Sequence, residues 1–130
     1  MKFGYTIVYV PSVSDALAFY EKAFGFQTRF LHESGQYGEL ESGSTTLAFA
    51  SHALGEMNLG SNFSPVSAAA TPPGIELAFV TKDVPSAYAK AIAAGAVSLH
   101  APAKKPWGQV VAYVRSLEGT LVELCSSIDG

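Results

Sequence analysis

One order of local structure runs through this chain twice, and that repetition narrows the fold more than any single motif does. Residues 3–10 are dense in Tyr, Ile and Val and have the character of a strand. Val13, Ala16, Leu17, Tyr20, Ala23 and Phe24 then recur at i, i+3, i+4, i+7 spacing, so an amphipathic helix is expected, capped near Ser12 or Ser14 and stopped by Gly25. Three short β-like runs follow at 26–33, 36–42 and 45–51, separated by the turn dipeptides Ser34-Gly35 and Gly43-Ser44. The same sequence of signals returns as a strand at 75–81, a helix at 84–94 ending at Gly95, and strands at 97–100, 109–115 and 120–126. Between the copies the composition shifts to Ala, Ser, Gly, Asn and Pro without strong periodicity. The expected organisation is a βαβββ module over 1–52, a linker over 53–73 and a second βαβββ module over 74–130, forming one compact domain.

Sliding one half over the other supports the repeat residue by residue. One register lays Val13 on Val84, Ala16 on Ala87 and Ala18 on Ala89, and the same register carries Tyr5 onto Glu76. In the closing strands Thr45 falls on Thr120 and Ala48 on Glu123. Two pairs of equivalent positions result: Tyr5 with Glu76, and Ala48 with Glu123.

Composition then removes whole classes of function. A chain of 130 residues with 48% apolar content, eight Phe and six Tyr can bury a core unaided. No apolar run approaches the roughly 18 residues of a membrane span. The net charge of −3 is spread along the chain, with Lys104–Lys105 its only basic cluster, too little to neutralise several phosphates, so no nucleic-acid partner is expected. Cys125 is alone, which rules out an internal disulfide and a Cys-based zinc site, and its neighbours Leu121, Val122 and Leu124 point to a packing role. The first residues enter a strand with no apolar leader, so a cytoplasmic location is the expectation. There is no Gly-x-Ser-x-Gly elbow, P-loop or dinucleotide glycine fingerprint.

The helix Asp15-Ala-Leu-Ala-Phe-Tyr-Glu-Lys-Ala-Phe-Gly-Phe26, the second-half start Ile75-Glu-Leu-Ala-Phe-Val-Thr-Lys-Asp-Val84, the turn Lys105-Pro-Trp-Gly-Gln109 and the ending Glu118-Gly-Thr-Leu-Val-Glu-Leu124 carry a resemblance. Over nearly its whole length the chain resembles the vicinal oxygen chelate superfamily of glyoxalases, bleomycin-resistance proteins and extradiol dioxygenases. The resemblance implies an α+β fold in which two βαβββ modules form curled mixed sheets around a ligand cavity. It does not imply a reaction, since one fold of this kind hosts many. Metal enzymes of the superfamily place one ligand on the first and one on the last strand of each module. Carried over, those positions are Tyr5, Ala48, Glu76 and Glu123. Alanine has no donor, and a neutral phenol binds hard divalent ions weakly, so no intact four-ligand site and no cofactor are expected. A reduced site of Glu76, Glu123 and water would suit Mg²⁺ or Mn²⁺.

Glu76 and Glu123 are each a lone charge in an apolar strand. Alternation puts Glu76 with Ala78 and Val80, and Glu123 with Leu121 and Cys125. Facing one cavity, two carboxyls cannot both ionise cheaply, which makes both candidates for acid–base catalysis; on a solvated face they would do nothing of the kind. Tyr5, Ile7, Tyr37, Trp107 and Tyr113, with Ala48 at the vacated position, are the candidate ligand wall, Trp107 as a rim or lid; ordinary core packing accounts for the same residues equally well. His32, His52 and His100 match no ligand position and read as surface or structural. Two functions follow. The first is a small-molecule binding protein of glyoxalase/bleomycin-resistance type that takes an apolar or aromatic ligand. The alternative is a glyoxalase-like lyase or isomerase using Glu123 and Glu76, with or without a divalent metal. A homodimer is expected, because a curled module leaves sheet edges and an apolar face to be covered, and the linker is long enough for module exchange.

Overall fold

In the computed structural model, which describes residues 1–128, the polypeptide forms two four-stranded mixed sheets with accompanying helices. The first module comprises β1 (Tyr5–Val10), α1 (Val13–Phe24), β2 (Gln27–Leu31), β3 (Tyr37–Glu41) and β4 (Thr46–Ser51), followed by α2 (His52–Leu59). The second comprises β5 (Glu76–Val80), α3 (Val84–Ala93), β6 (Val97–Lys104), β7 (Val110–Arg115) and β8 (Leu121–Cys125). Strand orders are β1-β4-β3-β2 and β5-β8-β7-β6. In each sheet the first and last strands pair in parallel and the remaining pairs are antiparallel. The fold class is thus α+β, with two βαβββ modules. Two compact units divide the chain, one of Met1–Glu21 with Gly25–Val66, the other of Lys22–Phe24 with the chain from Ser67 onward.

Local chemistry fixes the helix ends. Ser12 caps α1, its hydroxyl accepting from the Asp15 N–H at 3.3 Å, and Gly25 closes it in the left-handed conformation (φ 79) with its N–H on the Glu21 carbonyl. Asp83 caps α3 by accepting from the Ser86 N–H. The apolar stripe of α1 reaches the sheet through Val13, Ala16, Leu17, Tyr20 and Ala23, all buried, and the Tyr20 ring lies 4.7 Å from that of Phe49 on β4. Gly38 on β3 admits this contact. A Cβ there would stand 2.8 Å from Leu17 Cδ1, 3.1 Å from Val13 Cγ1 and 3.2 Å from the Phe30 carbonyl oxygen.

The parallel registers place the repeat on a physical footing. Tyr5 lies opposite Thr46 and Ile7 opposite Ala48, while Glu76 lies opposite Leu121 and Ala78 opposite Glu123. Tyr5 therefore occupies in the first sheet the place of Glu76 in the second, and Ala48 the place of Glu123, as the superposed sequences indicate.

Two expectations need correction. The segment 53–73 is not a plain linker, because α2 fills its start. Ser51 caps that helix by accepting from the Leu54 N–H at 3.0 Å, and Gly55 is buried so closely that a Cβ would meet Phe63 at 2.7 Å and Tyr9 at 2.9 Å. Packing holds α2 in place of periodicity, which is why its sequence carries so little signal. Further on, the Arg115 guanidinium donates to the carbonyls of Ser67 (3.0 Å), Ala70 (2.8 Å) and Gly119 (2.7 Å), so residues 67–70 are strapped to the second unit. The strand expected at 97–100 also runs on to Lys104. It passes Pro102 through ladder irregularities at 98/100 and 100/103, which an edge strand tolerates.

Gly38→Ala is expected to destabilise the protein by about 1–3 kcal/mol, the range for overpacking a filled core. Chemical denaturation checks this; an unchanged midpoint would show that α1 does not bear on β3 as described.

Candidate functional site

α1 covers one face of the first sheet; the opposite face is open except where α2 packs on Tyr9. In the second module the open face carries Glu76, Ala78 and Val80 on β5, Leu121, Glu123 and Cys125 on β8, and Val111, Tyr113 and Arg115 on β7. Because β5 and β8 are neighbours, Glu76 and Glu123 sit one diagonal step apart on the same face. Tyr113, directly opposite Glu123, donates its hydroxyl to Glu123 Oε1 at 2.9 Å. Loss of water, the hydrogen bond with Glu123 and the Glu123 charge all raise the Glu76 pKa above the ordinary carboxyl range. The Tyr113 phenol is pushed up to about 12, first by its bond to Glu123, then by burial and by the charges of both glutamates. Burial, followed by the Glu123 hydrogen bond and the charges of both glutamates, pushes the Cys125 thiol up to about 11, so it is a poor nucleophile. Arg115 shares this face but is committed to backbone carbonyls.

The open face of the first module is aromatic at one edge and polar at its centre. Tyr5 and Ile7 are 57% and 43% exposed, whereas Ala48 is fully buried. Glu39 on β3 lies directly opposite Ala48. Its Oε2 accepts from the Tyr37 hydroxyl at 2.7 Å, and its Oε1 accepts from Arg29 Nε and Nη2 at 3.2 and 3.1 Å. Arg29 Nη2 also donates to Thr46 Oγ1 at 2.6 Å, and Nη1 lies 3.7 Å from Glu41 Oε1. Burial comes first and the Glu39 hydrogen bond second in holding the Tyr37 pKa well above the usual phenol range. The group stays neutral.

Beside Tyr37 a pocket of about 260 Å³ opens between the β2–β3 turn and α2, lined by His32, Ser34, Gln36, Tyr37, Leu54 and Met57. The turn is tight because Gly35 adopts φ 73.

The glyoxalase-like domain family matches residues 3–129, essentially the whole described chain. The chain belongs to the glyoxalase-like domain family. Solved structures with the same fold include a glyoxalase/bleomycin resistance protein/dioxygenase family enzyme from Burkholderia phytofirmans PsJN (23% identity, 97% of this chain and 98% of that one, TM-score 0.82). A glyoxalase-related enzyme from Fulvimarina pelagi (18%, 98% and 88%, TM-score 0.81) and TioX from Micromonospora sp. ML1 (20%, 97% and 98%, TM-score 0.73) are also similar. No curated protein matches the sequence. The glyoxalase-like chain is accordingly a member of the vicinal oxygen chelate superfamily, and at these identities the likeness to solved structures concerns the fold.

The superfamily's metal is a poor fit to these residues. Ala48 is buried and offers no donor, and the carboxylate nearest it, Glu39, is held by Arg29 and Tyr37. Glu76 stands beside Glu123 on neighbouring strands, where loss of water and the second carboxyl raise its pKa and so disfavour the charged form a cation needs.

Of the residues singled out by sequence, the structure gathers Glu76, Glu123 and Tyr113 on one face, and Tyr5, Ile7, Tyr37 and Ala48 on another. The two glutamates meet on neighbouring strands of one sheet rather than across a cavity. Trp107 joins neither ladder. It sits 61% exposed in the β6–β7 turn, its indole Nε1 donating to Gln109 Oε1 at 2.7 Å. His32, read as a surface residue, lines the pocket. No sequence pattern singles out Arg29, Leu54 or Met57 as site residues. Complementarity of Arg29 to Glu39 and Glu41 was a usable signal of their pairing, whereas Leu54 and Met57 were hidden in the apparent linker.

Because the native state binds the Glu76 proton more tightly than the unfolded chain does, this group's contribution is complete below the ordinary carboxyl range and is lost as pH rises through its raised value. Glu76→Gln, which mimics the protonated acid, is expected to raise the melting midpoint relative to the parent at about pH 8 and to leave it unchanged at about pH 4. A difference independent of pH would contradict the raised Glu76 pKa.

Proposed function

We propose that this glyoxalase-like protein binds a small apolar or aromatic molecule on the open face of its first module, with no divalent metal in the four-ligand positions. The observation that supports this best is Ala48. The position that should supply the first module's last-strand ligand has no donor, and Glu39 beside it is neutralised by Arg29. What the face offers instead is exposed apolar surface from Tyr5 and Ile7 above a polar floor of Tyr37 and Glu39. Covering such surface is worth about 25 cal/mol per Å², so aromatic contact rather than coordination would dominate affinity.

A second reading is favoured by one observation, the two carboxyls of Glu76 and Glu123 on neighbouring strands, the first with its pKa raised. A carboxyl that stays protonated above its usual range can act as general acid, and its partner as base, in a lyase or isomerase. It predicts activity that depends on both glutamates.

The neutral dye N-phenyl-1-naphthylamine separates these possibilities. Saturable fluorescence enhancement is expected to persist in EDTA and to weaken about tenfold in Tyr5→Ala, as expected when an aromatic anchor is removed. Binding abolished by EDTA but indifferent to Tyr5→Ala would replace the binding-protein reading with the metal enzyme.

A further inference from the structure

The pocket beside Tyr37 carries information about its occupant that the open faces do not, because its hydrogen-bonding groups have defined roles. The Ser34 backbone N–H donates to His32 Nδ1 at 3.0 Å, and the Ser34 hydroxyl lies 2.8 Å from the same nitrogen. A ring nitrogen that accepts carries no proton, so the neutral imidazole bears its hydrogen on Nε2. Gln36 is fixed in the same way. Ser51 Oγ, which already accepts from the Leu54 N–H as the α2 cap, donates to Gln36 Oε1 at 3.3 Å, leaving the Gln36 NH₂ as the free end. Among the described residues neither the His32 Nε2–H nor the Gln36 NH₂ meets a hydrogen-bond acceptor. Both residues line the pocket, so two donors are available to an occupant.

Its remaining walls are the Tyr37 ring, Leu54 and Met57, the last 73% exposed. The Tyr37 hydroxyl is turned to Glu39 and offers the pocket nothing. No Lys or Arg side chain lines the space to compensate a bound negative charge, so an anionic ligand is disfavoured. At about 260 Å³ the pocket falls just below the roughly 300–1,000 Å³ of drug-sized sites, which limits the occupant to one or two rings.

We propose that this pocket binds neutral one- or two-ring compounds through a carbonyl-type oxygen, with the His32 Nε2–H and the Gln36 amide as donors and Tyr37, Leu54 and Met57 as the apolar wall. The inference rests on the small-molecule-binding reading and names the ligand chemistry within it.

The probes are 2-acetylnaphthalene and 2-isopropylnaphthalene, which share a shape but differ in the acceptor oxygen. Only Met1 and Met57 are methionines, so the Met57 methyl resonance can be followed in protein labelled with methyl-¹³C methionine. The ketone is expected to shift that resonance saturably and to bind about tenfold more tightly than the hydrocarbon. His32→Phe and Gln36→Glu, which keep ring shape and the Oε1 contact to Ser51, should each weaken the ketone about three- to tenfold, the worth of one net hydrogen bond, and leave the hydrocarbon unchanged. Equal affinity of the parent protein for both probes would overturn the proposal without recourse to any variant, as would variants that bind the ketone normally. Failure of the two readings is distinguishable. A ketone-specific Met57 response in a protein whose dye binding ignores Tyr5→Ala supports the pocket and removes the open face, while Tyr5-dependent dye binding with a silent Met57 does the reverse.

Discussion

The parallel pairing of first and last strands within each module is the constraint from which the rest follows. A βαβββ unit must return its fourth strand beside its first, and the register of that return decides which side chains share the open face. Ile7 against Ala48 and Ala78 against Glu123 are the same geometric event in two sheets. One module thereby gains a carboxyl beside another carboxyl, and the other gains a methyl group. Moving either pairing by one residue would turn Glu123 or Ala48 to the helix-covered face and dissolve both sites, because side chains alternate with a period of two.

The two open faces solve a similar electrostatic problem differently. In the second sheet the neighbouring carboxyl and loss of water raise the Glu76 pKa, and Tyr113 donates to Glu123, which favours less charge than two free carboxylates carry. In the first sheet Glu39 is neutralised by Arg29, which reaches it from the bulge in β2. Neither face leaves a carboxylate free in the arrangement a chelated ion needs, and both leave apolar surface around a small polar centre.

Much of this was legible in the sequence because it depends on short-range pattern. The α1 stripe from Val13 to Phe24, the stop at Gly25, the hairpin at Ser34-Gly35 and the lone charges in β5 and β8 are periodicity and turn chemistry, and they fixed the module order and the equivalence of Tyr5 with Glu76 and Ala48 with Glu123. What stayed hidden depends on packing between distant residues. Helix α2 has a glycine at its centre and exists because Gly55 fits against Tyr9 and Phe63, so it passed for linker and took Leu54 and Met57 out of view. Arg29 needed the β2 bulge to reach Glu39, and no alternation rule counts through a bulge. Trp107 lies in the β6–β7 turn, where strand alternation does not hold and no local pattern says which way the indole faces.

Elemental analysis of the protein purified without chelator bears most directly on the claim that this member of the glyoxalase-like family has lost its chelate. The account expects far less than one divalent ion per chain, and no change in that content in Glu76→Gln or Glu123→Gln. One tightly held ion per chain that disappears in Glu123→Gln would contradict it.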